Sequence, residues 1–498
     1  MCQGGWVGTV PCALRPVPGW AGGWVGPVPC ALHPGGWVGP VPCTLYPGGR
    51  AGGGIQSAPM NFTFLRQLSG TLYSAVIMEL LERLAYYGMY LVLGIYLMEE
   101  IGIPADLYGL VVPGIFMSTL YLLPLFAGAL ADKYGYRPAL MVAFATLTAG
   151  YLLLGNVSSF AMICVALGLI AMGGSIIKPV IAGAVTHTTE EGSTRPVGFG
   201  LYYTMVNIGA FVGPLLAAVV RDRFEFRYVF WVSAAACAIA FLQAIFAFKE
   251  PLPDEVRESS KTVGDKIKEM LMVLGNWRFV LLLVIFSGFW GMINVLFSFM
   301  PHYINNFTDL EPLKGFFSGI PLIGNWLASV TKPEVFISID ALLIIGFQAV
   351  ISYLTRRWPT LRAMLVGTIA ATMSWILPAL SPAAIIVATG IVIWSIGEMI
   401  CSARFFQYCG TVAPADQVAV YLGYSFFAIF IGNFYSGPWA GWLYERFVRG
   451  PLEAGIDPTP APFFAGVMAM GIFSVIGLAL YGRFINPVKE QRQPVEGS

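Results

Sequence analysis

The chain has 498 residues, 57% of them hydrophobic and 11% charged, with a net charge of +1 and a mean hydropathy of +0.72. Soluble domains carry about 25% charged residues, so these values exclude a soluble globular protein and describe a polytopic membrane protein. A net charge near zero with no basic stripe excludes a nucleic-acid partner, and eight cysteines without CxxC spacing exclude a zinc site and a disulfide framework.

Residues 1–59 differ from the rest. Gly-Trp6-Val-Gly-Thr-Val-Pro-Cys12 recurs as Gly-Trp24-Val-Gly-Pro-Val-Pro-Cys30 and Gly-Trp37-Val-Gly-Pro-Val-Pro-Cys43. So much Gly and Pro neither propagates a helix nor builds a packed core. The segment lacks the basic start and compact apolar stretch of a secretory signal. It is expected to be a disordered extension, with Met60 the expected true start.

From Leu72 onward, apolar runs alternate with short polar breaks. The first run, 72–98, exceeds the roughly 20 apolar residues that span a bilayer. It nevertheless contains Glu79, Glu82 and Arg83. Each such group costs on the order of 2.5–3.5 kcal/mol at a helix centre, so it must face a protein interior or a wet cavity. The i, i+3, i+4 spacing puts both acids and the base on one helix face, which Tyr86, Tyr87 and Tyr90 extend. Two acids compete for one local base, and a spare acid accepts a proton. The alternative is an ion pair that only ties helices together.

Eleven further helices are predicted near 107–130, 138–155, 158–186, 198–220, 228–248, 278–304, 334–354, 362–380, 383–408, 417–445 and 462–485. Six precede and six follow the charged break that starts at Lys249. The predicted fold is therefore an all-α membrane protein with twelve transmembrane helices in two six-helix halves, a plan common to secondary transporters. Its segments are the extension 1–59, an N-terminal half 60–248, a central loop 249–277, a C-terminal half 278–486 and a tail 487–498.

Lys133, Arg137, Arg195, Lys249, Arg257, Lys261, Lys266, Lys268, Arg356, Arg357 and Arg362 lie in breaks after even-numbered helices. Arg221, Arg223, Arg227, Lys314, Lys332, Arg446 and Arg449 are exceptions on the other side. The balance predicts an inner or plasma-membrane protein with both termini in the cytoplasm. The break 305–334, with Phe316, Phe317 and Trp326, is long enough for a short interfacial helix outside.

Two lone charges stand in long apolar runs, Lys178 in the first half and Glu398 in the second. Between the second and third predicted helices runs Gly128-Ala-Leu-Ala-Asp132-Lys133-Tyr-Gly135-Tyr-Arg137. This loop resembles the signature of the major facilitator superfamily, in which Asp132 and Arg137 would act in gating. A narrower resemblance joins four places. Glu79-x-x-Glu82-Arg83-x-x-Tyr86-Tyr87-Gly88 is similar to the first-helix motif of proton-dependent oligopeptide transporters. Gly173-Gly174-Ser175-Ile-Ile-Lys178-Pro179, Tyr202-Tyr203-Thr-Met-Val-Asn207-Ile-Gly209 and Gly397-Glu398-Met-Ile-Cys-Ser402 resemble motifs of their helices 4, 5 and 10.

This resemblance implies proton symport of small peptides or peptide-like solutes by alternating access. Glu79, Glu82, Arg83 and Lys178 would couple protons. Tyr86, Tyr87, Tyr90, Lys178, Asn207, Trp290, Asn294, Asp340 and Glu398 would line the substrate site, with Glu398 anchoring an amine. The chain departs from the family at three of these positions. Tyr90 stands where an arginine is common, Asn294 where the seventh helix tends to carry an acid, and Asp340 where the eighth is usually neutral. The implied partners are protons, the bilayer and a small solute, with a single chain sufficient. Rival readings are a proton-driven exporter of amphipathic or cationic compounds and a membrane receptor that does not transport. His33, His187 and His302 are scattered, with no metal spacing and no Ser/His/Asp set, so no enzyme activity, cofactor or metal is expected.

Overall fold

The computed structural model describes residues 68–190, 194–252, 264, 268, 272–414 and 418–485. The expected extension, most of the central loop and the tail lie outside the described residues. Ten helices are long and apolar enough to cross a membrane. They are α2 (Ala105–Tyr134), α3 (Tyr136–Leu154), α4 (Phe160–His187), α5 (Val197–Arg223), α6 (Phe226–Phe246), α7 (Trp277–Ser298), α8 (Pro333–Thr355), α9 (Thr360–Leu380), α10 (Ala384–Val412) and α12 (Ala461–Phe484). Two more match them in length, α1 (Gly70–Ile95, 26 residues) and α11 (Val418–Tyr444, 27 residues). At about 1.5 Å per residue, either covers the roughly 30 Å hydrocarbon core. Among the described residues the fold is thus all-helical, that of a membrane protein, and its long helices are consistent with the expected twelve-helix order.

Local chemistry sets the helix starts. Ser69 accepts from Leu72 N at 3.1 Å to cap α1, and Asn276 accepts from Phe279 N at 3.3 Å to cap α7, satisfying amides that a helix start leaves free. Gly135, at φ 101°, makes the sharp reversal between α2 and α3 that a side chain would strain. Glu250 closes this turn by accepting from Tyr136 N at 3.0 Å and Arg137 N at 2.8 Å.

The second half repeats the packing of the first. α1 packs on α5 and α6, and α3 on α4 and α6; correspondingly α7 packs on α11 and α12, and α9 on α10 and α12. Small residues make these crossings close, as expected where lipid supplies no hydrophobic drive between helices. A Cβ on Gly213 would sit 2.6 Å from Leu84 O, and one on Gly367 would sit 2.6 Å from Gly397 O.

The halves meet through α1, α2 and α5 on one side and α7, α8 and α11 on the other. Many polar links between them gather at the end where α1 finishes. Tyr108 Oη donates to Ser298 O at 3.1 Å, and Glu445 accepts from Ala105 N at 2.6 Å. The Arg449 guanidinium donates to Ile103 O and, at 3.0 Å, to Met98 O. Arg221 pairs with Glu334 at 3.1 Å, and Lys332 with Asp222 at 2.8 Å. His302, on a short helix Met300–Phe307, lies 3.5 Å from Glu99, which also accepts from Asn305 and Asn306. Three cations that break the loop-charge pattern are therefore clasps between the halves, Arg221 and Lys332 paired with acids and Arg449 bonded to backbone carbonyls. Between Met300–Phe307 and α8 stand two further short helices, Glu311–Ser318 and Gly324–Ser329, with Phe316 and Trp326 exposed.

Candidate functional site

α1 carries the charged triad into the protein interior. Glu79, Glu82 and Arg83 are 1%, 2% and 4% exposed. The guanidinium contacts Glu82 closely and reaches Glu79 Oε1 at 3.3 Å. It thus serves both acids, and Glu79 Oε2 is left buried without a partner. The helical spacing predicted one shared face, and the structure places all three groups there.

Lys178 does not enter this ion-pair set. Its ammonium stands 4.1 Å above the Tyr121 ring and forms no salt bridge among the described residues. Tyr121 in turn stacks on Phe426 of α11 at 6.4 Å. Sequence reasoning missed Tyr121, because a ring partner 57 positions away leaves no local signal.

The tyrosine face leads from the triad to the other half. Arg83 lies over the Tyr86 ring at 5.3 Å, and Tyr86 stacks on Tyr90 at 5.5 Å. Tyr86 Oη donates to Met117 Sδ at 3.1 Å, and Tyr87 meets Phe297 of α7 at 6.4 Å. Tyr90 Oη donates to Asn294 Oδ1 at 3.2 Å, and the Asn294 amide donates to Pro113 O and Ser436 Oγ at 3.1 and 3.0 Å. Asn294 therefore links α1, α2, α7 and α11.

In the second half, Trp290 is packed among Phe286, Phe289, Phe405 and Phe406, and its indole N–H is buried without a partner. Trp394 stacks on Phe289 at 5.7 Å and donates to Glu398 Oε2 at 3.1 Å. Asp340, 2% exposed, lies 2.6 Å from Ser395 Oγ. No lysine or arginine lies within salt-bridge distance of Asp340 or Glu398 among the described residues.

Three further expected site residues make contacts within the first half. The Asn207 amide donates to Tyr203 O of its own helix at 2.8 Å. Asp132 accepts from Tyr136 Oη at 3.0 Å. Arg137 donates to Ala244 O and Ile245 O, tying the α2–α3 turn to the end of α6 within the first half. Arg404 donates to Gln407 and Thr355 O, away from the carboxyls.

No group of three or more His, Cys, Asp and Glu side chains that could hold a metal occurs among the described residues. The arrangement can exchange protons at carboxyls and present charged poles and aromatic walls to a small solute.

A di-/tripeptide transporter of Lactococcus lactis subsp. lactis (strain IL1403) is 25% identical over 264 residues, 51% of each chain. The chain thus spans about half the length of these curated relatives. The multidrug resistance protein MdtH of Yersinia enterocolitica serotype O:8 is 22% identical over 82% of this chain and 93% of its own. A crystal structure of a mutant of the peptide transporter POT in complex with alafosfalin superposes with a TM-score of 0.65 at 20% identity, covering 83% of this chain and 94% of that one. The family profile described as Major Facilitator Superfamily matches residues 75–437, so the chain belongs to the Major Facilitator Superfamily.

Proposed function

We propose that this protein is a proton-coupled symporter that carries small peptides or peptide-like solutes into the cytoplasm by alternating access. It lies in the inner or plasma membrane with both termini cytoplasmic, and a single chain is the working unit. The observation that carries this reading is the Glu79–Arg83–Glu82 triad, in which one cation serves two buried carboxylates. An excess acid in a membrane interior is a proton acceptor.

In this orientation the end where α1 finishes faces outside, and the clasps around Arg449, Arg221 and Glu99 close it. When these clasps open, an outside proton neutralises Glu79 or Glu82. Arg83 is then less tightly held and can respond to a solute carboxylate, together with Lys178 on its Tyr121 platform. Glu398 receives the solute amine, oriented by Trp394. Tyr86, Tyr87, Tyr90 and Trp290 supply aromatic walls. A solute bridging Lys178 and Glu398 draws the halves together around it. Each charge moved across the membrane gains about 2.3 kcal/mol per 100 mV of potential.

A second reading is proton-driven export of cationic or amphipathic compounds. It is favoured by the lack of a cation beside Asp340 and Glu398 among the described residues and by the length of the match to MdtH. Vesicles containing the full chain separate the two. Symport predicts accumulation of dialanine under an inward proton gradient that collapses with a protonophore. Export predicts no dialanine accumulation, with a cationic dye moving against the proton flow.

A further inference from the structure

We infer that residues 311–331 form a hairpin seated in the bilayer surface at the end where α1 finishes, with its apolar tip among the lipid acyl chains and its polar base at the headgroups. The segment is tied to that end on both sides. Before it, Asn305 and Asn306 donate to Glu99, which follows α1. After it, Lys332 and Glu334 pair with Asp222 and Arg221 of α5. Its chain neighbours α7 and α8 both run into the membrane, so the hairpin starts and ends near the lipid surface.

No Asp, Glu, Lys or Arg occurs from Gly315 to Thr331, whereas Glu311, Lys314 and Lys332 flank the run. Water-facing segments normally mix charges of both signs. The helices Glu311–Ser318 and Gly324–Ser329 pack on each other. Gly324 permits this, because a Cβ there would stand 2.4 Å from Phe317 O and 2.8 Å from Ser318 O. Left outside the contact are Phe316, Leu322, Ile323 and Trp326, which are 70%, 104%, 52% and 50% exposed. Together they make an apolar patch of the kind that marks an interaction surface. Trp is enriched where a protein meets the membrane interface.

The backbone at the tip is a second observation. Leu322 holds φ 71°, in the left-handed region that costs a leucine free energy. Such a residue persists where its surroundings offset the strain. The Leu322 side chain is fully exposed, so the chain itself offers it no offsetting contact. Lipid around the tip buries that side chain and supplies one.

The hydrogen bonds of the hairpin are a third. Ser318 Oγ donates to Gly315 O, Ser329 Oγ to Trp326 O and Thr331 Oγ1 to Leu327 O, each at 2.8 Å. In the turn, Ile320 N donates to Phe317 O, Ile323 N to Pro321 O and Gly324 N to Ile320 O, each at 2.9 Å. Pro321 has no N–H to satisfy. Entry into lipid demands this internal bonding, because lipid offers no replacement partner. The polar exceptions are Asn325, an exposed amide, and Lys314, paired with Glu311 at 2.7 Å. Headgroups accommodate both, since a lysine stem lies along apolar surface while its ammonium stays in water. The segment runs directly into Lys332 and Glu334, so lipid that holds the hairpin also holds the clasp between α5 and α8. The inference rests on the membrane-spanning fold and not on what the protein carries.

The test uses full-length protein in phosphatidylcholine vesicles. Subtracting the emission of Trp326→Phe from that of wild type isolates the Trp326 indole. A ring seated roughly 5–10 Å into the headgroup and acyl boundary should lose about half of its emission when the lipid is brominated on the upper acyl chain. Iodide present on both faces of the vesicle should leave it unchanged. Quenching by iodide, with or without loss to brominated lipid, places the hairpin in water and overturns the inference. Quenching by neither means that protein covers the ring, as in a pair of copies of this chain, and overturns it too. If Trp326→Phe does not fold, Leu322→Trp decides by the same two quenchers, its added indole read by subtracting wild type.

Discussion

Tyr90 of α1 donates to Asn294 of α7 at 3.2 Å, and through Asn294 the first helix of one half is hydrogen-bonded to the first helix of the other. The same amide group reaches Pro113 O and Ser436 Oγ, so one side chain fastens four helices.

Asn294→Leu should therefore loosen the end where α1 finishes. Side-chain hydrogen bonds between membrane helices average about 0.6 kcal/mol, so losing the two that cross between the halves, to Tyr90 and Pro113 O, shifts the balance by roughly 1 kcal/mol toward opening there. Spin labels on Glu100→Cys and Ile456→Cys, one in each half near that end, should show a longer-distance population in the variant. A distance distribution identical to that of the parent would show that Asn294 does not hold the halves.

The His302 imidazole at the same end gives a pH dependence with a definite sign. Burial, and secondly Arg449, push its pKa from 6.5 down to about 3. Glu99 at 3.5 Å opposes this shift, but its oxygens are shared with the Asn305 and Asn306 amides. Tyr444 Oη at 2.8 Å from Nδ1 completes the surroundings. The closed end thus prefers neutral His302. Its contribution to closure is full above the ordinary value near 6.5 and is lost as pH falls toward about 3. Acidification should open this end in the spin-label experiment, and His302→Gln should flatten the response. An unchanged response in that variant would assign the pH dependence elsewhere.

Glu82→Gln should abolish dialanine accumulation driven by a proton gradient while preserving exchange of labelled for unlabelled dialanine. Arg83 then keeps only Glu79, and the excess acid that takes the proton is gone. Gradient-driven accumulation that persists in Glu79→Gln, Glu82→Gln and the double variant would make the triad a helix tie.

Gly213→Leu tests the crossing of α1 and α5. Even a Cβ there would stand 2.6 Å from Leu84 O and 3.0 Å from Gly88 N. Backbone atoms cannot swing aside, so the larger side chain should cost about 1–3 kcal/mol or more by overpacking. A thermal melt in detergent should fall by several degrees. An unchanged melt would mean that the two helices do not approach so closely.

The chain's own sequence determined the membrane class, the twelve-helix order and the face shared by Glu79, Glu82 and Arg83. Each is a short-range property: hydropathy is summed within a segment, and helical spacing fixes which neighbours share a face. Tertiary structure decided what those groups meet. Lys178 rests on Tyr121 and stays out of the triad's ion pairs, and Asn207 and Arg137 bond to backbone carbonyls. The partners of Tyr90 and Arg449 lie 204 and 346 positions away in the chain. Such pairings depend on how two independently packed halves come together, and no local pattern encodes that relation. The cations that seemed misplaced along the chain became clasps only when Asp222, Glu334 and the carbonyls of Met98 and Ile103 were brought beside them.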